Sequence, residues 1–194
     1  MPYRATQFCA GEHYHVYNRG HSGQAVFLEP AHYLYFLHSW HRFLDGQAVE
    51  IVCYCLMPNH FHLLLHPQTD DLSRLLQPWL LSCAKTLNRW AGRSGQLFQG
   101  PFKAAHVGRN EYLLHLSRYL HLNPVVAGLV QRAEDWEWSS YRDVIGLRAG
   151  TLPHPEIVLA QLGSAADYRR FVESYVHGGD PAIAHLVLEQ RGSS

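Results

Sequence analysis

No stretch of this 194-residue chain offers the ~18–20 consecutive apolar residues that a membrane-crossing helix needs. The N-terminal residues Met1 to Gly11 lack a basic region followed by an apolar core. No signal peptide is therefore expected, and the expected compartment is the cytoplasm. Cysteine is scarce. Cys9, Cys53, Cys55 and Cys83 make no disulfide framework. Cys53 and Cys55 share one face of a strand-like segment, but no second Cys-x-x-Cys pair accompanies them. Small buried thiols are the reading this favours over a metal site. Net charge is also missing, with 16 Lys+Arg against 16 Asp+Glu. That excludes a uniformly basic nucleic-acid binder. Repeats and low-complexity tracts are absent.

The balance is not even along the chain. From Leu72 to Arg132 there are eight Lys or Arg residues and one acid, Glu111. Such a stretch can attract a phosphate backbone while the whole chain stays neutral. A solvated helix face with scattered arginines is the plainer alternative. Apolar content of 47% and aromatic content of 12% indicate a globular chain. Its length suits one core, with or without an appendage.

Periodicity supplies the elements. Glu12 to Arg19 alternates and meets Gly20, which predicts a first strand. Pro30 to Leu44 is apolar at helical spacing and ends at Asp45-Gly46. Val49 to Leu56 predicts a second strand, Pro58-Asn59 a turn, and His60 to His66 a third strand. Asp70 or Asp71 is the candidate cap of a helix reaching Trp90, with Pro78 as a candidate kink. Lys103 to Val107 predicts a short fourth strand. Asn110 is the candidate cap of a helix running through Leu122, where Asn123-Pro124 is expected to stop it. Two short helices, Pro153 to Gly163 and Ala165 to Val176, follow an acidic, aromatic connector. The order β-α-β-β-α-β plus a helix predicts an α+β fold with a ferredoxin-like core. In that topology the first and third strands are central neighbours, which brings His15 near His60 and His62.

His60 and His62 lie at i and i+2 in a strand, so both project to one face, roughly 6–7 Å apart at Cα. That spacing lets two imidazoles reach one metal ion. The chain has 15 histidines, and His13-Tyr14-His15 repeats the pattern, so chance His-x-His pairs are expected. Tyr119 and Asn123 sit at i and i+4 and share a helix face. A tyrosine at such a place is often a core residue with its hydroxyl satisfied. Tyr112, one heptad earlier, is a rival nucleophile on the same face. Arg19, Arg74, Lys85, Arg89, Lys103 and Arg118 are candidate phosphate contacts, against the alternative of solvated charges. Trp79, Trp90, Phe98 and Phe102 could stack unpaired bases, with core packing as the alternative.

Five words stand in one order: Tyr14-His15-Val16-Tyr17-Asn18-Arg19-Gly20; Tyr54 to Leu64 around Met57-Pro58-Asn59-His60-Phe61-His62; Leu97-Phe98-Gln99-Gly100-Pro101-Phe102-Lys103; Arg118-Tyr119 with Leu122-Asn123-Pro124; and Ala127 to Val130 followed by Trp138-Ser139-Ser140-Tyr141. Together they resemble the REP-associated tyrosine transposases, domesticated relatives of the single-tyrosine HUH transposases of small bacterial insertion sequences. The resemblance covers roughly residues 12 to 145. It implies a nuclease/transposase domain over 1–145 and leaves 146–194 as a helical C-terminal extension without an assigned role. It also implies an HUH-type core whose added helix carries the nucleophile. The function it implies is cutting and rejoining single-stranded or hairpin DNA through a 5′-phosphotyrosine. His60 and His62 then fall on the family's metal ligands and Tyr119 on its nucleophile. Asn123 takes the place of a glutamine that completes the metal site in insertion-sequence relatives. The cofactor implied is Mg²⁺ or Mn²⁺, with His15 behind the ligands. The expected assembly is a monomer or homodimer, and no membrane is involved. A hairpin-binding module that has lost cleavage is the alternative.

Overall fold

The computed structural model describes residues 6–44 and 48–175 of the chain. Four strands form one antiparallel sheet in the order β2-β3-β1-β4. They are β1 (Tyr14–Arg19), β2 (Val49–Met57), β3 (His60–Pro67) and β4 (Lys103–His106). Three long helices join them: α1 (Pro30–Leu44), α2 (Leu72–Trp90) and α3 (Asn110–Val126). The short helices α4 (Tyr141–Val144), α5 (Glu156–Leu159) and α6 (Ala165–Glu173) follow. The fold is α+β, and its strand order is that of the ferredoxin-like unit. The central β1–β3 pair sets Tyr17 opposite His62 and Arg19 opposite His60.

Strand alternation builds two cores. Tyr14, Val16, Phe61, Leu63 and Leu65 face α1 and α2, where Phe36, Trp40, Leu76 and Trp79 complete an apolar cluster. The other face presents Leu64, Cys53, Cys55 and Met57 to Leu113, Leu116 and Leu120 of α3. Each such leucine contributes about 1.5–3 kcal/mol by burial. Val158, Tyr168 and Val172 from beyond residue 146 join this second cluster. The α3 side therefore carries the histidines of β1 and β3, and the α1/α2 side is oil.

Several sequence expectations need correction. Helix α3 does not stop at Leu122 but runs through Pro124 to Val126. Proline lacks its own N–H, so only one bond to the preceding turn is lost. Ala127 N–H still reaches the Asn123 carbonyl and Leu129 N–H the Pro124 carbonyl, both at 2.9 Å. Burial of Asn123 and Pro124 holds the extra turn in place. The first strand starts at Tyr14, not Glu12. Asp71 occupies the N-cap position of α2 without capping, and Asp70 Oδ1 instead accepts from Ala10 N–H. Asn110 is the first helical residue, with Arg109 at the N-cap and no side-chain cap bond. Pro78 lies inside α2, which continues on both sides of it. The two C-terminal helices are shorter than expected. The Asp45-Gly46 stop and everything after residue 175 lie outside the described residues. Among the described residues, no helix is long and apolar enough to cross a membrane.

Candidate metal and nucleophile site

The turn before His60 is clamped from outside the hairpin. Gly20 N–H donates to the Asn59 carbonyl at 2.8 Å, and Val26 and Phe27 N–H to the Pro58 carbonyl at 2.7 and 3.0 Å. Gly20 is required for this. A Cβ there would stand 2.0 Å from the Gln24 carbonyl oxygen. The Leu97–Lys103 word runs beside the end of β1. Gln99 N–H donates to the Arg19 carbonyl at 2.8 Å, and Asn18 Nδ2 to the Gly100 carbonyl at 2.9 Å. Three of the sequence words thus hold one another in place. Together they wall a cavity of about 340 Å³ whose lining includes His60, His62, Arg19, Lys103, Asn59 and Gln99.

His60 Nδ1 lies 2.7 Å from Asn59 Oδ1. A carbonyl oxygen only accepts, so Nδ1 carries the proton and Nε2 keeps its lone pair. Nε2 is buried and closes no hydrogen bond; Asn123 Nδ2 is likewise buried and unpaired. Asn123 is still close enough to bias the His60 titration. His62 is buried, with Nδ1 2.9 Å from His15 Nε2. The Tyr119 ring stands edge-on to the His62 ring, centroids 5.8 Å apart at 77°. Helix α3 thus delivers Tyr119 to one imidazole and Asn123 to the other. The continuation of α3 through Pro124 makes this possible, because i and i+4 share a face only inside a helix.

Burial, then the Arg19 charge, lowers the His60 pKa to about 4. Burial, then His60 and His15, holds His62 well below its ordinary value. Both rings are therefore neutral at physiological pH, the form that ligates metals. Among the described residues no three His, Cys, Asp or Glu side chains are arranged to hold a metal ion. The set at hand is two imidazoles and an amide. The unpaired His60 Nε2 beside the Asn123 amide fits a divalent cation whose other positions go to oxygen ligands.

The remaining sequence candidates separate. Arg19 and Lys103 line the cavity. Arg118 lies over the Phe171 and Tyr175 rings at 4.2 and 4.4 Å, a packing role alongside its candidacy for phosphate. Arg74, Lys85 and Arg89 sit on α2, on the opposite side of the sheet from Tyr119. The basic stretch from Leu72 to Arg132 is therefore not one surface. Trp79, Phe98 and Phe102 are buried in the α1/α2 core; Trp90 is exposed. Tyr112 packs by the α3 cluster with Arg109 over its ring at 5.5 Å. Cys53 and Cys55 are buried free thiols pushed up by burial. Asn59 and Gln99 were not singled out, although both stand inside the sequence words. Also missed was the buried pairing of His121 with Tyr168, which no local pattern announces.

An α+β fold in which one of two strand histidines, His62, meets a helix-borne tyrosine defines the class of arrangement. No protein-family profile matches the chain. A Haemophilus influenzae protein named as a REP-associated tyrosine transposase is 30% identical over 107 residues, covering 49% of this chain and 61% of that relative. The match thus spans less than two thirds of the relative's length. The solved structure of a REP-associated tyrosine transposase bound to a REP hairpin aligns with a TM-score of 0.62 at 18% identity, covering 75% of this chain and 86% of that one. The chain is similar in sequence and fold to the REP-associated tyrosine transposases, as its words imply.

Proposed function

We propose that this chain is a metal-dependent endonuclease and strand-transferase that acts on single-stranded DNA beside hairpins. Tyr119 is its nucleophile, and His60, His62 and Asn123 hold Mg²⁺ or Mn²⁺. One observation carries the reading: α3 brings Tyr119 against His62 and the Asn123 side chain beside His60. Similarity to a transposase solved with a REP hairpin supports the choice of substrate. The reading takes the protein as cytoplasmic and as a monomer or homodimer.

A free phenol, with a pKa of ~10, is a poor nucleophile at neutral pH. The divalent cation, when bound, neutralises phosphate charge and polarises the phosphorus. Arg19 and Lys103 add positive charge along the cavity wall and orient the strand. The Tyr119 oxygen attacks phosphorus in line. The bond to the 3′-oxygen breaks, and the phenolic proton ends on that oxygen, directly or through solvent. The products are a 5′-phosphotyrosine and a free 3′-OH. The linkage keeps the phosphodiester energy, so a second 3′-OH can reverse the step and join strands without ATP.

The test uses labelled hairpins with single-stranded flanks, incubated with the protein and Mn²⁺. A denaturation-resistant adduct is expected, with mass spectrometry placing the nucleotide on Tyr119. Tyr119→Phe should bind hairpins as before and form no adduct, a loss of at least ~10³-fold, while Tyr112→Phe keeps it. Adduct on the Tyr112 peptide would overturn the assignment. Hairpin binding without adduct from any substrate would establish the binding module instead.

A further inference from the structure

A buried hydrogen-bond chain runs behind α3. Tyr168 of α6 donates its hydroxyl to Ser117 Oγ at 2.9 Å, and its oxygen lies 2.7 Å from His121 Nδ1. His121 Nε2 lies 2.9 Å from Ser140 Oγ, which accepts the Tyr54 N–H of β2 at 2.8 Å. Ser117 passes its own proton to the Leu114 carbonyl at 2.8 Å. Protons fit throughout with a neutral ring. Nδ1–H donates to Tyr168, and Nε2 accepts from Ser140, whose single proton is shared with the Tyr54 carbonyl at 3.2 Å. Ser117, His121, Ser140 and Tyr168 are all fully buried. Such a closed polar network fixes one arrangement, because breaking a link strands a buried group.

Its place on α3 matters. Ser117 and His121 each sit two residues before Tyr119 and Asn123, about 200° round the helix at 100° per residue. The chain grips the back of α3 while the front presents the proposed nucleophile and amide ligand. A second tie lies alongside. Arg118, next to Tyr119, is covered by Phe171 and Tyr175 from the C-terminal segment. That segment is itself pinned by Arg169 to Glu134 at 2.5 Å. Turning α3 by about 10° would move a side-chain tip ~5–6 Å from the axis by about 1 Å. A misplacement of that size costs on the order of 10²-fold in rate.

We propose that His121 and Tyr168 are positioning residues, and that the segment carrying α6 is a working part of the catalytic unit. This rests on the reading of Tyr119 as nucleophile. Tyr168→Phe removes one oxygen and leaves shape and charge intact. Adduct rate per folded molecule, with the folded fraction read from urea unfolding, should fall at least tenfold. Hairpin affinity should stay within twofold. Amide exchange should quicken along α3 but not in β1 or β3. His121→Gln keeps a donor and an acceptor and should retain more rate than His121→Leu.

A merely structural role predicts a different pattern. The folded fraction would drop while the rate per folded molecule held, and that result overturns the proposal. Parallel loss of hairpin binding and rate overturns it as well. If wild-type protein forms no adduct at all, the reading of Tyr119 fails. The exchange measurement then decides alone: faster exchange confined to α3 upholds the clamp, and unchanged α3 exchange removes it.

Discussion

The two ends of the central strand pair use the same side chain in opposite ways. One end holds His60 and His62, with His15 behind them. The other, about 20 Å away at ~3.3 Å per residue along β3, gathers His13, His66 and His106. At the far end, His106 Nε2 meets Glu12 at 2.8 Å and His66 Nδ1 meets Glu50 at 3.3 Å. His13 stacks on His66 with ring centroids 4.5 Å apart. Both ends hold a buried ring nitrogen without a partner, His13 Nε2 and His60 Nε2. An orphaned nitrogen therefore does not mark the functional end by itself. Its company does. The far cluster is matched by carboxylates, which would repel a phosphate. The near cluster has an amide, Arg19 and Lys103 beside a cavity, and a tyrosine on the facing helix. The near end suits a polyanion; the far end already has its anions.

The most direct way to break this comparison is to remove histidines at each end in turn. His60→Ala or His62→Ala should lower Mn²⁺-dependent adduct formation by at least ~10³-fold, because each removes a proposed ligand. His66→Ala and His106→Ala should leave it within about twofold, since surface ion pairs are worth ~0–1 kcal/mol. Circular dichroism should show that all four fold. Equal losses at the two ends would mean the site is misplaced. Next in size, Asn123→Ala should shift the Mn²⁺ dependence of the reaction about tenfold to higher concentration. An unchanged curve would show that another group fills that position.

The same contrast applies to the cations. Arg19→Gln with Lys103→Gln should weaken hairpin binding and flatten its salt dependence by about two phosphate contacts, because each neutralised phosphate contributes to the slope. Arg74→Gln with Arg89→Gln, across the sheet on α2, should change neither beyond about twofold. A titration of binding against salt separates the two pairs. If the α2 pair carries the slope, the strand runs over the other face.

Much of the site was legible because it is local. His60-x-His62 shares a strand face, and Tyr119 and Asn123 share a helix face; both follow from the repeat of the element. The neighbour relation of His15 to His62 followed from topology. The rest depends on contacts across long sequence separations. Nothing near His121 reveals that Tyr168 will close its hydrogen bond. The basic stretch misled because α2 and α3 cover opposite faces of one sheet, so adjacency in sequence is not adjacency on a surface. Pro124 misled because proline is usually a stop, but burial outweighs one missing bond here.

The smallest expected effect concerns pH, and it too distinguishes the ends. Burial, then the neighbouring His66, lowers the His13 pKa to about 4. In the unfolded chain it titrates near ~6.5. Between those values the unfolded state binds a proton that the native state refuses, so stability falls as pH drops from about 6.5 towards 4. His60 has the same direction and window, again with burial as the first cause. Urea midpoints for the wild type should therefore decline from pH 7 to pH 5. His13→Gln should flatten that decline by at most one proton's worth and leave the midpoint at pH 7 nearly unchanged. Mn²⁺ should raise the midpoint at pH 7 in wild type and in His13→Gln, because a ligand that binds only the folded state stabilises it. In His60→Ala that increment should vanish. An Mn²⁺ increment lost in His13→Gln but kept in His60→Ala would move the metal to the far end and reverse the comparison.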